Sequence, residues 1–217
     1  MSFLNDWGNY LPDLLGGLWV SVRLAALSLL VGMPAGLMLA LGASAKSRPL
    51  RIIVIGLVEI GRGTPALVVL QLVYFGLPSG GITLTSFLAA AVALALTTAA
   101  YTSEILRGGL QSVPQGEVEA AEALGMARRD TLRFIVIPQG IRVAIPPLMG
   151  FAILIFQATA LAYTIALPEL LSQAYSIGSS TFKYTSVLIL AGLLYAAVTI
   201  PASWLSERAE IRLARHL

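Results

Sequence analysis

Long apolar segments constrain the fold of this 217-residue chain more than any other feature of its sequence. Five such segments follow one another, and each is long enough to cross a hydrocarbon layer roughly 30 Å thick as a helix. Because lipid offers no hydrogen-bond partners, a segment exposed to it must pair its own backbone groups, as a helix does. The predicted spans are residues 14–43, 52–76, 84–106, 143–167 and 184–206. The sequence therefore predicts an all-α integral membrane protein with five transmembrane helices and a single domain over residues 1–217.

The composition agrees with this prediction. Hydrophobic residues make up 57% of the chain and charged residues only 12%, and the mean hydropathy is +0.84. No stretch is left over for a soluble domain. The N-terminal segment MSFLNDWGNYLPDLL contains no lysine or arginine, so we expect it to stay in the mature protein rather than be cleaved as a signal peptide. The absence of cysteine excludes disulfides, thiolate metal sites and cysteine nucleophiles.

The basic residues are distributed unequally between the two sides of the predicted bundle. Lys183 alone follows an even-numbered span, and Arg23 and Arg62 fall within spans. The other eleven of the 14 follow spans one, three and five: Lys46, Arg48, Arg51, Arg107, Arg128, Arg129, Arg133, Arg142, Arg208, Arg212 and Arg215. Because basic residues accumulate in cytoplasmic loops, this predicts an extracytoplasmic N-terminus and a cytoplasmic C-terminus. Topology also explains the net charge of +3 without a nucleic-acid partner.

A charged block, EVEAAEALGMARRDTLRFIVIPQG, lies between spans three and four on the predicted cytoplasmic side. Ser112 and Gln115 have the spacing of a capping box, which predicts that a helix begins there. Gly125 is predicted to end this helix in a left-handed conformation, and a second short helix is predicted over residues 127–135, up to a break at Pro138. The small residues on the first helix suit docking into a groove. The residues alone leave this interpretation open against a solvated loop that only joins two spans.

The same block, read from Glu119, resembles the EAA loop of the permeases of ABC importers. That loop has a glutamate, two alanines, a glycine four residues on, and a proline after an apolar stretch. The stretches VEIGRGTPALVVLQLVYFGLP, AAYTSEILRGGLQSVPQGEVEAAEALGM and IPQGIRVAIPPL are similar to the polar amino-acid permease family, which includes importers of histidine, arginine, glutamine and glutamate or aspartate. The resemblance covers nearly the whole chain. It implies the transmembrane permease subunit of an ATP-driven amino-acid importer in a bacterial inner membrane.

The resemblance also implies partners. Two permease chains, identical or paralogous, would enclose the pathway, with two ABC ATPase subunits in the cytoplasm and an extracytoplasmic solute-binding protein. Residues 112–135 would form a coupling loop against the ATPase, and the implied contact residues are Glu119, Ala120, Ala121, Leu124 and Gly125. The chain contains no GxxxxGK[ST] phosphate loop, so ATP and Mg²⁺ are expected on the ATPase and no cofactor on this chain.

Span four departs from the family pattern in a way that bears on the substrate. Where family members usually have a lysine, an acidic or amide residue and a hydroxyl residue, this chain has Gln157, Ala158 and Thr159. A cationic substrate would be helped by an acidic group in the low-dielectric interior, and span four offers none. We therefore expect an acidic or neutral amino acid. The neutral hydrogen-bonding residues assigned to the pathway are Thr98, Tyr101, Gln157 and Thr159.

Arg23 also belongs to this set of pathway candidates, with two interpretations open. Its side chain either reaches the outer membrane interface beside Trp19 or faces a substrate carboxylate.

The other ionisable residues of spans two and three are predicted to have a structural or gating role. Glu59 and Arg62, like Glu104 and Arg107, are three residues apart on a helix. Unpaired charges at membrane depth cost on the order of 2.5 to 3.5 kcal/mol, so each pair is expected to neutralise itself. Pro65 is expected to break span two.

Two other classes of function compete with a permease subunit. A self-sufficient secondary transporter or channel is the first, although no internal duplication is evident and the charged loop would lack a purpose. An intramembrane enzyme is the second. It is disfavoured because the chain has neither HExxH nor GxSxG and its single histidine is His216.

Overall fold

The computed structural model describes residues 3–214, and this part of the chain is built from helices and contains no strand. Arg215, counted above on the cytoplasmic side, and His216 lie outside the described residues. In chain order the α-helices are α1 (Phe3–Ala43), α2 (Arg48–Gly63), α3 (Ala66–Gln71), α4 (Ser86–Gln111), α5 (Gln115–Ala123), α6 (Arg128–Thr131), α7 (Ile137–Ala158), α8 (Leu170–Thr181) and α9 (Tyr184–Ala214).

Tighter or wider helical turns extend three of these helices. After α3 the chain continues through a π-helical turn, Leu72–Gly76, and a 3₁₀ turn, Leu77–Gly80. A π-helical turn, Leu132–Val136, joins α6 to α7, and a 3₁₀ segment, Thr159–Ile165, follows α7.

Four helices of the described residues are long and apolar enough to cross a membrane: Asp6–Ala43, Ser86–Gln111, Arg128–Ile165 and Tyr184–Leu213. A fifth candidate is a bent pair, Arg48–Gly63 with Ala66–Gly80, whose two parts meet at 102°. The protein is therefore a multi-pass helical membrane protein with four or five candidate spans.

The contact between α1 and α4 is the most extensive between any two helices in the described part of the chain. Two glycines of α1, one turn apart, allow it. A Cβ added to Gly32 would lie 2.7 Å from the carbonyl oxygen of Ala95, and one added to Gly36 would lie 2.7 Å from that of Ala99. Both distances are shorter than a Cβ tolerates. The glycines therefore let two helix backbones touch, as small residues do in membrane bundles.

The second apolar segment bends at the predicted proline. Thr64 and Pro65 are both extended, with ψ of 127° and 134°, and the helix resumes at Ala66. The Thr64 hydroxyl donates to the carbonyl oxygen of Ile60 at 2.7 Å, which satisfies one acceptor at the end of α2. The predicted break at Pro65 is confirmed, and its cause is that a residue before proline avoids helical geometry.

The predicted break at Pro138 is wrong, because a continuous helical segment runs from Arg128 to Ile165. Pro138 lies in the first turn of α7, directly after the π-helical turn. There the N–H of Ile137 donates to the carbonyl of Leu132, five residues back. This wider turn gives the proline ring room and does not need the N–H that proline lacks.

Helix α8 was not anticipated from the apolar pattern. It forms a hairpin with α9 and packs on α1. Leu14 of α1, Leu170 and Ala174 of α8 and Val187 of α9 are all completely buried in one cluster. The first turns of α1 are thereby fixed to the α8–α9 hairpin at the end of the bundle opposite the charged block.

We expect Gly32→Val to destabilise the protein, because its Cβ would force α1 away from the backbone of α4. The cost of such overpacking is about 1 to 3 kcal/mol, which would lower the midpoint of thermal unfolding of the purified protein. Gly192→Val in α9 is the matched control, since a Cβ there meets nothing within 4 Å. Equal midpoints for the two variants would contradict this account of the α1–α4 contact.

Candidate functional site

The predicted coupling loop, residues 112–135, contains a short helix that ends in a glycine turn. Gly125 has φ of 78°, so the predicted left-handed conformation is confirmed. Its N–H donates to the carbonyl of Glu122 at 3.0 Å, and the N–H of Met126 donates to that of Ala121 at 3.1 Å. These two bonds close the end of α5 and turn the chain into α6. A residue with a Cβ would be strained at this position.

The start of α5 differs from the prediction, because Ser112 ends α4 instead of capping α5. Its hydroxyl donates to the carbonyl of Gly109 at 2.8 Å. Pro114 occupies the N-cap of α5 with φ of −57°, and no side chain caps this helix. The predicted capping box between Ser112 and Gln115 is therefore wrong. A proline that presets the backbone angle replaces it.

Both ends of the coupling loop are held to the bundle. The side-chain amide of Gln139, in the first turn of α7, donates to the Glu117 carboxylate in the first turn of α5. Gly109 of α4 and Gly140 of α7 lie face to face, so that a Cβ added to Gly140 would lie 2.8 Å from Cα of Leu110. The loop is consequently mounted on α4 and α7.

One face of α5 packs inward and the other is free. Ala121 is 2% exposed and Val118 is half-buried, whereas Leu124 is 83% exposed. Glu119 and Ala120 are exposed as well. Apolar residues and the acids Glu119 and Glu122 therefore form an unpartnered surface at one tip of the described structure, which is the arrangement that a docking helix requires.

A cavity of about 390 Å³ opens beside the bend in the second segment. The ring of Tyr101 stacks on that of Phe151, with centroids 4.9 Å apart, and its hydroxyl donates to the carbonyl of Arg62 at 3.3 Å. Tyr101 thereby joins the bent segment to α7 at this cavity. The residues that line it include Arg62, Pro65, Thr97, Tyr101, Phe151 and Ala158.

The charged residues of spans two and three form one network. Arg62 lies 3.5 Å from Glu59 and 3.4 Å from Glu104, and Arg107 lies 2.5 Å from Glu104. Both predicted i, i+3 pairs are confirmed. The link from Arg62 to Glu104, which joins α2 to α4, was not predicted, because local spacing says nothing about which helices meet.

The structure brings three predicted residues together at the cavity: Tyr101 from the pathway set and Arg62 and Pro65 from the gating set. The remaining pathway residues lie elsewhere. Thr98 and Thr159 are completely buried, and each hydroxyl donates to a carbonyl of its own helix at 2.7 Å. Gln157 is exposed outside the cavity lining.

Arg23 is exposed and likewise does not line the cavity. Its guanidinium lies 5.9 Å from the ring centroid of Trp19 and 6.0 Å from that of Phe87. This placement beside aromatic rings agrees with the interpretation that the side chain reaches toward the membrane interface.

Glu169 is a buried acid that the sequence analysis did not single out. It caps α8 by accepting from the N–H groups of Leu171 at 2.9 Å and Ser172 at 2.7 Å. The hydroxyls of Tyr195 and Ser21 also donate to it, at 2.9 and 3.3 Å. Burial raises the pKa of the Glu169 carboxyl above its usual value, although these four donors oppose the shift. The signal available in the sequence was an acid between a proline and a helical apolar pattern.

No group of three or more acidic or histidine side chains among residues 3–214 is arranged to hold a metal ion.

Comparison with known proteins gives consistent matches over nearly the full length. Residues 32–215 match the family described as "Binding-protein-dependent transport system inner membrane component". The nopaline transport system permease protein NocM of Agrobacterium fabrum is 40% identical, with 95% of this chain and 90% of that protein covered. The arginine transport system permease protein ArtQ of Bacillus subtilis is 32% identical, with 94% and 93% covered.

A solved structure, described as an amino acid ABC transporter with histidines, superposes with a TM-score of 0.93. It is 33% identical, and the alignment covers 98% of this chain and 99% of that one. The arrangement of helices described here is therefore the arrangement found in a known transporter.

We expect Glu104→Gln to destabilise the protein more than Glu59→Gln. The Glu104 side chain is 26% exposed and pairs with two arginines, which its loss would leave facing each other. The Glu59 side chain is 62% exposed and pairs with one arginine. Loss of a hydrogen-bonded charge partner costs about 1.5 to 3 kcal/mol, and loss of an exposed pair about 0 to 1. Thermal unfolding of the two variants measures the difference, and equal losses would mean that Glu104 does not hold the network together.

Proposed function

Because the chain belongs to the family of binding-protein-dependent transport system inner membrane components, we propose that it is the permease subunit of an ATP-driven importer of a polar amino acid. Its relatives are permease subunits of amino-acid ABC transporters. The substrates in their names differ, arginine in one and nopaline in another, so the family alone does not identify what this chain transports.

Within this proposal the bundle has five spans over residues 1–217, with the bent pair of α2 and α3 as the second. The coupling loop faces the cytoplasm, since eleven basic residues fall on that side in the sequence. The outer end then contains the α8–α9 hairpin and the first turns of α1. The membrane is the inner membrane of a bacterium.

The observation that best supports the proposal is the free face of α5. A helix whose exposed residues include Glu119, Ala120 and Leu124, held at both ends by the bundle, suits a groove on a soluble motor subunit. Leu124 supplies an apolar anchor, and the left-handed turn at Gly125 fixes the direction in which the helix points. ATP and Mg²⁺ belong to that motor subunit, so hydrolysis moves this chain by contact alone.

The pathway is assigned to the cavity between the bent segment, α4 and α7. A second permease chain, identical or paralogous, is expected to complete the wall of this cavity. Arg62 is the only charged residue of its lining, and no acid lies in that lining. Without an acid, the lining offers no partner to a cationic side chain, so the assignment supports an acidic or neutral amino acid.

Charge reversal and loss of the turn in the coupling loop are expected to abolish transport while leaving membrane insertion intact. Glu119→Lys places a cation on the docking face, and Gly125→Pro cannot adopt φ of 78° because the proline ring fixes φ near −65°. Amino-acid uptake by membrane vesicles and co-purification of the ATPase measure the two effects.

The matched control compares Gly125→Ala with Gly116→Ala. A Cβ meets nothing within 4 Å at either position, but only Gly125 has a positive φ. Gly125→Ala should lower uptake and Gly116→Ala should not. Full uptake by Glu119→Lys or Gly125→Pro, with the ATPase bound, would refute the coupling assignment.

The choice among amino-acid substrates should depend on the residue at position 158. Ala158 lines the cavity at the position where members of the resembled family usually have an acidic or amide residue. Ala158→Asp is expected to raise the uptake of arginine or lysine relative to neutral amino acids by about tenfold, the ratio that 1.4 kcal/mol of differential binding produces. Competition between amino acids for uptake by the complete importer measures this ratio.

Gln157→Asp is the neighbouring control, because Gln157 is exposed and outside the cavity. An equal shift for both variants would show that the charge acts from a distance and that the cavity is not the pathway. Wild-type preference for arginine, lysine or histidine would refute the expected substrate class.

A further inference from the structure

The turn between α8 and α9 presents a strained and exposed aromatic residue. Phe182 has φ of 58° and ψ of 18°, and its exposed fraction is 88%. A bulky residue with positive φ is rare, and such strain costs of order 1 to 3 kcal/mol. Glycine or asparagine would relieve it. The ring makes no packing contribution that could offset this cost, so its benefit must come from outside the described chain.

The surroundings of Phe182 keep the ring in place. Gly178 lets the Tyr184 ring pack against α8, since a Cβ there would lie 2.6 Å from Cδ1 of that ring. Lys183 forms an ion pair with Asp6 of α1, and the indole N–H of Trp7 donates to the Ser186 hydroxyl at 3.0 Å. The turn is thus tied to both α1 and α9, and a tied turn holds its apex residue at a fixed position.

The turn is built for water and not for lipid. Ser179 and Ser180 are exposed, and Thr181 and Lys183 flank the ring directly. A hairpin tip that dipped into hydrocarbon would instead be flanked by apolar residues, whereas Trp7 and Tyr184 beside this turn are typical of a membrane–water interface, where the ring can be reached from water. The pairing of Lys183 with Asp6 also neutralises the charge beside Phe182. What remains is a single apolar ring at the apex of a polar turn.

A ladder of exposed tyrosines lies beside this turn. The ring centroids of Tyr163 and Tyr175 are 4.7 Å apart, and those of Tyr175 and Tyr184 are 5.7 Å apart. Each of the three is between 38% and 39% exposed. Rigid aromatic side chains with large exposed area are the residues in which protein interfaces concentrate their binding energy.

We propose that Phe182 is the anchor by which the extracytoplasmic binding protein docks on this permease, with the tyrosine ladder as the adjoining surface. This inference rests on the proposed function, which puts the α8–α9 turn on the outer side and supplies that partner through the family. The strain at residue 182 is retained because the ring fills a pocket on the binding protein. The binding protein is a soluble protein that reaches the turn from water, which agrees with the polar flanks.

The test uses the complete importer in nanodiscs and the purified amino-acid-binding protein that stimulates its ATP hydrolysis. Phe182→Gly should raise the half-stimulating concentration of binding protein about tenfold or more, as removal of a hot-spot ring does. Basal ATP hydrolysis should stay at the wild-type value, and the thermal midpoint should not fall, because glycine relieves the backbone strain at this position. Phe182→Tyr, which keeps the ring, should keep wild-type stimulation.

Ala166→Gly is the matched control, because Ala166 is the other described residue with a Cβ and a positive φ, 57°. It relieves the same kind of strain without removing a ring and should leave stimulation unchanged. An unchanged half-stimulating concentration for Phe182→Gly would overturn the inference. A lower thermal midpoint or a dissociated permease dimer would also overturn it, in favour of a lipid or a second permease chain as the ring's partner. If no amino-acid-binding protein stimulates the wild type, the proposed function itself fails.

Discussion

The close approach of α1 and α4 at Gly32 and Gly36 is the contact on which the rest of the structure depends. Between apolar helices in lipid there is no hydrophobic gain from association, so packing and close backbone approach must hold the bundle together. The buried residues of α4 are alanine, threonine, serine and glycine apart from Leu94, and this allows the helix to touch α1, α2 and α7 at once. A Cβ on Gly61 of α2 would lie 2.7 Å from Cβ of Ala100, and Gly109 meets Gly140 of α7 in the same manner. Helix α4 is therefore the centre of the bundle, and close backbone contacts with it position α1, α2 and α7.

Successive turns of α4 carry the residues proposed for function from the cavity to the proposed coupling loop. Tyr101 lines the cavity, Glu104 and Arg107 belong to the charged network, and Ser112 ends the helix where the loop begins. A force on the loop therefore acts on a rigid rod that also forms a wall of the cavity. The link between Arg62 and Glu104 adds the bent segment to this rod, because Arg62 lines the cavity and lies 3.4 Å from Glu104. Continuity of contacts is a physical route for coupling. These contacts couple the loop to the cavity only if both ends of α4 switch together between the same two conformations.

Features set by local chemistry could be predicted from the sequence, and features set by the meeting of distant segments could not. The bend at Pro65, the left-handed turn at Gly125 and the two i, i+3 ion pairs each follow from residues within one turn of each other. The capping box at Ser112 and the break at Pro138 were wrong for a related reason. Pro114 occupies the N-cap of α5 in place of a capping side chain. The π-helical turn before α7 accommodates Pro138 without interrupting the helix. Helix α8 and Glu169 were missed because a short amphipathic helix gives no span signal, and its burial depends on α1 and α9. The cavity is lined by Tyr101 from the predicted pathway set and by Arg62 and Pro65 from the predicted gating set. The sequence indicates how deep a residue lies along a span but not which side of the helix faces the cavity, so the two sets could not be combined in advance.

The position of Glu169 bears on how the two ends of the bundle communicate. Its carboxylate starts α8, and the same oxygen accepts from Tyr195 of α9 and Ser21 of α1. The Tyr195 ring in turn packs edge-on against Phe156 of α7, with centroids 5.5 Å apart, and Phe156 is a neighbour of the cavity-lining Ile155. An unpaired carboxylate at this depth would be costly, so α1, α8 and α9 cannot separate there without replacing its donors. Movement of the α8–α9 hairpin is therefore expected to be rigid about Glu169 and to reach α7 through the aromatic contact, because the alternative is to break the hydrogen bonds that Tyr195 and Ser21 donate to a buried acid.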